Sequence, residues 1–293
     1  LAAYSFKKEA SVYIVYEGNQ YNIDISDISF SQTFMEKSYP VKTLQTQSMF
    51  EGSIIKMANP ANFSFTFPAI REDDLEVVFD RALDYDTFNL FIATPQDIFK
   101  VSTCVITEAS FIIEKMRPLS MSISGEAIQL ERVGSVDGNP VTRDANRTYN
   151  RNSNITALVD SVDVSESLTS LTVELRNNVE WTPYMTLDAI CVGTATIVYP
   201  VDFTVTEREL AGTIVNYLTD TNNANLQSHM PDVPVHVEAG QDSGGTVYGF
   251  DIDIANCFVT NRLNTGAIYT QTYDWKMIQN PASLTNVITY TTL

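Results

Sequence analysis

Gly52 to Leu83 reads GSIIKMANPANFSFTFPAIREDDLEVVFDRAL. The order is strand, tight turn, strand, then a short amphipathic helix. Leu75, Val78, Phe79, Ala82 and Leu83 fall at i, i+3, i+4, i+7 and i+8, which makes one apolar stripe for packing on a sheet. Asp73 or Asp74 can cap that helix, and Glu76, Asp80 and Asp84 then face water.

The second half of the chain carries a counterpart. Gly52-Ser53 leads to Pro60-Ala-Asn-Phe-Ser-Phe-Thr66, and Gly193-Thr194 leads to Pro200-Val-Asp-Phe-Thr-Val-Thr206. Both share Gly-[Ser/Thr], a run with β-branched residues, and Pro-x-[Asn/Asp]-Phe-[Ser/Thr]-x-Thr. Thr206-Glu-Arg-Glu209 has the form of a capping box, and Leu210, Ile214, Tyr217 and Leu218 would share a helix face after it. Several matches in one order predict a tandem duplication of a mostly β module.

Working outward, Ser11–Tyr16 reads as a strand, and Tyr21–Phe34 alternates around Ile23, Ile25, Ile28 and Phe30. Met35–Phe50 mixes charge, Pro40 and scattered apolar residues, and is expected to be a long arm or extended loop. Phe99–Ile106, Phe111–Met116 and Leu119–Ser124 read as strands. The first module, residues 1–133, ends there. Residues 134–154 are almost free of apolar side chains and read as a linker or exposed loop. The second module, residues 155–293, restarts with strands at Ile155–Val164 and Leu168–Leu175. Its Arg176–Leu187 occupies the place of the arm, and Ala189–Tyr199 with Val201–Val205 would form the paired strands. Further strands are expected near Val233–Glu238, Gly249–Ile254 and Ala267–Tyr273.

Composition narrows the function classes. The 293 residues hold 36 Asp+Glu against 18 Lys+Arg, a formal net charge of −18. A sequence-reading nucleic-acid binder needs a basic face to neutralise phosphates, and this chain lacks the charge for one. Cys104, Cys191 and Cys257 are far apart and odd in number, which fits buried thiols better than a disulfide framework. No apolar run approaches the roughly 18 residues of a membrane span.

Tempting chemistry dissolves on inspection. Gly240-Gln-Asp-Ser-Gly-Gly245 is close to a serine-protease nucleophile loop, but a Gly-rich hairpin turn explains the same residues. The only histidines, His229 and His236, are seven apart, with no cysteine at ligand spacing. Asp251 and Asp253 alternate along a strand as solvated positions would. Trp181 and Trp275 fit packing or interface roles. There is no Walker loop and no dinucleotide fingerprint. No enzyme, cofactor or metal site is expected.

A mostly β module with one helix and a long arm between early strands, repeated in tandem, resembles the phage tail tube proteins. The nearest likeness is to tube subunits of long-tailed phages that carry two fused tube domains. It rests on Asn59–Phe67 with the following helix, on Met35–Phe50, and on the counterparts at Tyr199–Thr206. The resemblance implies β-sandwich or barrel-like tube modules. It implies a structural virion protein of the tail, assembled in the host cytoplasm and not an enzyme. Three chains would close a pseudo-hexameric ring, and stacked rings would surround a lumen that conducts viral DNA during ejection without binding it specifically.

Ring stacking would fall to the arms, through Met35, Lys37, Tyr39, Pro40, Lys42 and Leu44, and through Trp181, Pro183, Tyr184 and Leu187. Carboxylates facing a lumen repel phosphate, and the candidates are Asp24, Asp27, Asp160, Asp163 and Glu166 on alternating strands. Expected partners are further copies of the chain and tape-measure, baseplate, terminator or sheath proteins, with no membrane. A baseplate hub or tail-terminator ring of the same fold is the alternative reading. A two-domain β-sandwich adhesin or carbohydrate-binding protein is the reading from another class.

Overall fold

Alternation of buried and exposed side chains, with period two, builds most of the described residues into antiparallel sheet. The computed structural model describes residues 7–40, 51–68, 72–113, 118–142, 153–182, 197–219, 229–278, 284 and 287–291. In the first half the strands are β1 (Ser11–Tyr16), β2 (Asn19–Ile23), β3 (Asp27–Ser31), β4 (Phe34–Pro40), β5 (Glu51–Ala58) and β6 (Ala61–Phe67). After the helix α1 (Glu72–Asp84) come β7 (Phe88–Ala93), β8 (Ile98–Ile113), β9 (Ser120–Val133) and the two-residue β10 (Asn139–Pro140). In the second half are β11 (Asn154–Val159), β12 (Val162–Asp163), β13 (Leu168–Trp181) and β14 (Phe203–Tyr217). The chain ends with β15 (His229–Ser243), β16 (Thr246–Asn264), β17 (Thr270–Met277) and β18 (Ile288–Thr291).

Strand order shows how the halves relate. In the first, hydrogen-bonded neighbours run β2-β1-β7-β8-β9-β6-β3; in the second they run β12-β11-β15-β16-β17-β14-β13. Taken in chain order within each run, the two have the same connectivity. The runs join where β13 pairs antiparallel with β8, from Leu171↔Ile113 to Arg176↔Glu108. β4 and β5 form a separate two-stranded ladder, from Phe34↔Ala58 to Pro40↔Glu51. β10, within the stretch expected as linker, adds in parallel onto β2.

The core is continuous across the junction. Val78, Phe79, Ala82 and Leu83 of α1 are buried, as the helical stripe requires, and the Phe79 ring meets Phe111 edge-on at 5.4 Å. Phe111 in turn lies 5.8 Å from Phe250 of the second half. Cys104 and Cys257 are buried. Burial raises both thiols, Cys257 to about 12. A thiol reagent at about pH 8 is therefore expected to reach Cys104 and Cys257 only on unfolding, because the thiolate is the reactive form. Titration with and without denaturant checks this; reaction of both in the native state would contradict it.

Several expectations change. The helix after Thr206 is a strand: β14 lies between β13 and β17, with Leu210 and Ile214 buried. A spacing of four satisfies both helical and strand periods, so partners on both flanks decide the outcome. The Thr206 hydroxyl donates to the carbonyl of Asn178 across the ladder instead of capping a helix. Asp73 and Asp74 lie inside the first turn of α1, which starts at Glu72. Ala189 to Thr196 lie outside the described residues, and Val201 precedes β14 in irregular backbone.

The Pro-x-[Asn/Asp]-Phe match is also not the structural correspondence. The stretch flanked on both sides by strands is 62–66 in the first run and 211–216 in the second. Longer elements replace other expectations: 99–106 and 111–113 belong to one strand, β8, and β15 with β16 extend well past their predicted ends.

Candidate functional site

The described residues flanking the two expected arms lie together. Arg176–Trp181, expected in the second arm, belong instead to β13 because they pair with β14. Met35–Pro40 of the first are in the β4–β5 ladder, and residues 41–50 and 183–196 lie outside the described ones. At the root of the first, Asn59 binds Thr33 twice, through N–H to carbonyl at 2.9 Å and side-chain amide to hydroxyl at 2.8 Å. Gln32 ties this root to the sheet: its amide nitrogen donates to the carbonyls of Asn59 and Ile128, both at 3.0 Å, and its oxygen accepts from Leu130 N–H at 2.9 Å. The side chain thus supplies the bonds of a missing strand residue. Phe34 and Met35, at the start of the ribbon, are exposed. A lone two-stranded ribbon is marginal in water, so β4–β5 calls for a surface to lie on.

At the second root, the Trp181 ring packs on Phe203 at 5.4 Å, and its indole N–H donates to Glu126 of β9 at 2.6 Å. Thr182 and Asp202 close the neck, with Thr182 N–H and hydroxyl donating to Asp202 O at 2.9 and 3.0 Å. The roots touch: Met57 and Val198 form a parallel bridge, and Ala58 N–H donates to Val198 O at 3.0 Å. Of the expected stacking residues, Met35 and Trp181 have described side chains, and Lys37, Tyr39 and Pro40 are placed in β4 by backbone. Lys42, Leu44, Pro183, Tyr184 and Leu187 lie outside the described residues.

The five acidic candidates are all exposed. They are not on alternating strand positions. Asp24 follows β2, Asp27 opens β3 and pairs with Lys7, and Asp160 sits in the β11–β12 turn. Asp163 ends β12 and accepts from Ser165 N–H at 2.9 Å, and Glu166 lies in a 3-10 turn. The pattern is carboxylates at equivalent junctions: Asp24 after β2 and Asp27 at the start of β3, Asp163 at the end of β12 and Glu166 before β13. Glu17, which sequence reasoning passed over, belongs with them. Glu17-Gly18 and Asp160-Ser161 turn their hairpins with positive φ at both residues, 48° and 78° against 51° and 62°. These are the left-handed conformations of a tight two-residue hairpin turn. Its acidic first residue was the available signal.

Among the residues weighed for catalysis, Gly244-Gly245 turns the β15–β16 hairpin with φ of 68° and 88°. His229 stacks on Phe258 at 6.0 Å, and His236 Nδ1 lies 3.4 Å from Asp251. Ser243 ends β15 with no histidine bonded to it among the described contacts. Among the described residues no group of His, Cys, Asp or Glu could hold a metal, and no helix is long and apolar enough to cross a membrane.

A polar clamp crosses the junction of the halves. Asn177 of β13, 3% exposed, donates its amide to the carbonyls of Ala82 and Ile106 at 3.1 and 3.0 Å. Its oxygen accepts from Arg208 Nε at 3.0 Å, and Arg208 also donates to the Leu83 carbonyl and covers the Tyr85 ring. The last turn of α1 thus receives donors from the second half of the chain. Burial lowers the Arg208 pKa.

Compared with known proteins, the chain matches the model of a family described as the Bacteriophage Baseplate Tube Protein Family over residues 2–82 and 71–291. No curated protein matches it.

Proposed function

Because the chain belongs to the Bacteriophage Baseplate Tube Protein Family, a family of structural tube proteins of the phage particle, we propose that it is a ring-forming subunit of the baseplate tube. Three copies close a pseudo-hexameric ring around a lumen that passes DNA during ejection. The observation that carries this reading is the strand order β2-β1-β7-β8-β9-β6-β3, repeated by β12-β11-β15-β16-β17-β14-β13. A chain with two like modules joined edge to edge supports a ring of modules with half as many chains. A tandem duplication is the simplest origin of such a pair. The formal charge of −18 supports a wall that repels phosphate instead of holding it.

Further rings stacked by the arms, as in a major tail tube, are the second reading. It is supported by the two arm roots lying together at Met57 and Val198. Tape-measure, terminator or sheath proteins are partners of that reading, and assembly would precede in the host cytoplasm.

Negative-stain electron microscopy of the purified chain, with a native mass on the same sample, tests both. Single rings with the mass of three chains are the expected result. Tubes of stacked rings would favour the second reading. A monomer at every concentration, with no rings, would overturn both and return the adhesin reading.

A further inference from the structure

The end strand of a sheet invites further strands, because its outer backbone groups are a template for pairing. The longest path of this sheet runs from β10 and β2 at one end to β11 and β12 at the other. β2 and β12 hold equivalent places, each turned back on its neighbour by a two-residue hairpin turn, yet they finish differently. β12 is cut to Val162–Asp163, and a very short strand offers little edge. β2 is five residues long, and the segment that follows β9 returns to lie along it.

That return is made by specific contacts. Asn139 N–H donates to the Gly18 carbonyl at 2.8 Å, and Val141 N–H donates to that of Gln20 at 3.0 Å. Gly138 reaches the hairpin with φ of 88°, and a Cβ there would lie 3.1 Å from both the Gly18 carbonyl oxygen and Val15 Cγ1. Angle and space both favour glycine at that point. Just before it, Asp137 accepts from Lys100 of β8 at 3.0 Å, and the same ammonium lies over the Phe91 ring.

Parity decides what this segment shows on its far side. Successive backbone N–H groups of a strand point to opposite flanks. Asn139 and Val141 aim theirs at β2, so the residue between them has its nitrogen on the outer flank. That residue is Pro140, which is exposed and has no N–H. Proline is tolerated on an edge strand in this position, and the edge it leaves lacks the donor that an added strand would use.

We propose that residues 137–141 are an edge guard: they cover β2 at its hairpin end and present a proline-blocked edge that keeps strands of other copies of this chain off that end of the sheet. The guard does not depend on the ring reading, and it acts on a monomer as on a ring.

Gly138→Val should unseat the segment, with amide exchange at Asn139 and Val141 speeding up roughly tenfold or more. Sedimentation velocity then reads the consequence. Gly138→Val is expected to form species larger than any in the unmodified protein at the same concentration. Gly134→Val is the control, since a Cβ at Gly134 meets open space, and it should change neither readout. Pro140→Thr keeps the segment seated but restores an outward N–H, and should give the same larger species at higher concentration. Faster exchange in Gly138→Val with an unchanged size distribution overturns the guard, and so does exchange that this substitution leaves unchanged. If Gly138→Val fails to fold, Pro140→Thr decides alone: a size distribution equal to that of the unmodified protein overturns the proposal. The mass of the unmodified protein, ring or monomer, bears on the ring reading only.

Discussion

Asn177→Leu is expected to lower the melting temperature by roughly 10 °C. Leucine keeps the volume but strips the Ala82 and Ile106 carbonyls of their donor and Arg208 Nε of its acceptor. Each buried group left unsatisfied costs about 1–3 kcal/mol, and with relaxation the total comes to about 3–4 kcal/mol. The clamp joins the end of α1 to β13, so the loss falls on the junction of the halves. Asn177→Asp separates the parts, since it keeps the acceptor for Arg208 and removes both donors. It should fall between wild type and Asn177→Leu in thermal unfolding. A change under about 1 kcal/mol for Asn177→Leu would mean that water replaces the amide and that the clamp is not a stability element.

Gly212→Val should cost about 3 kcal/mol or more, from overpacking alone. Gly212 needs no unusual backbone angle, so the argument is space. A Cβ there would sit 2.3 Å from the Thr172 carbonyl oxygen and 2.5 Å from the Trp275 ring. The ring could turn aside, but the carbonyl is held in the β13–β14 ladder. Adding Trp275→Leu to Gly212→Val should therefore recover only part of the loss. Urea unfolding of the single and double variants measures this. Full recovery in the double variant would show that the ring, and not the backbone, sets the limit.

The strand-rich class, the helix Glu72–Asp84 and the Gly244-Gly245 turn were legible in the sequence because each rests on local signals. Three Phe residues at alternate positions in β6 and a stripe at helical spacing in α1 have one reading each. Sequence reasoning failed at 206–218, where Leu210 and Ile214 sit four apart and fit either period. It also paired the two Pro-x-[Asn/Asp]-Phe motifs, which are alike in residues but not in ladder position. Their likeness marks the entrance to a strand in both halves, while equivalence is set by which strands flank it.

Burial period, turn residues and charge are properties of short stretches, and from them the sequence by itself determined the β class, the turns and the acidic character. What only the tertiary structure decided is which edges meet: β13 on β8, Asn177 under the end of α1, and Gly212 beneath Trp275. Backbone donors and acceptors are the same in every residue but proline. A strand's partner is therefore chosen by distant side chains that pack against both, and no local pattern records that choice.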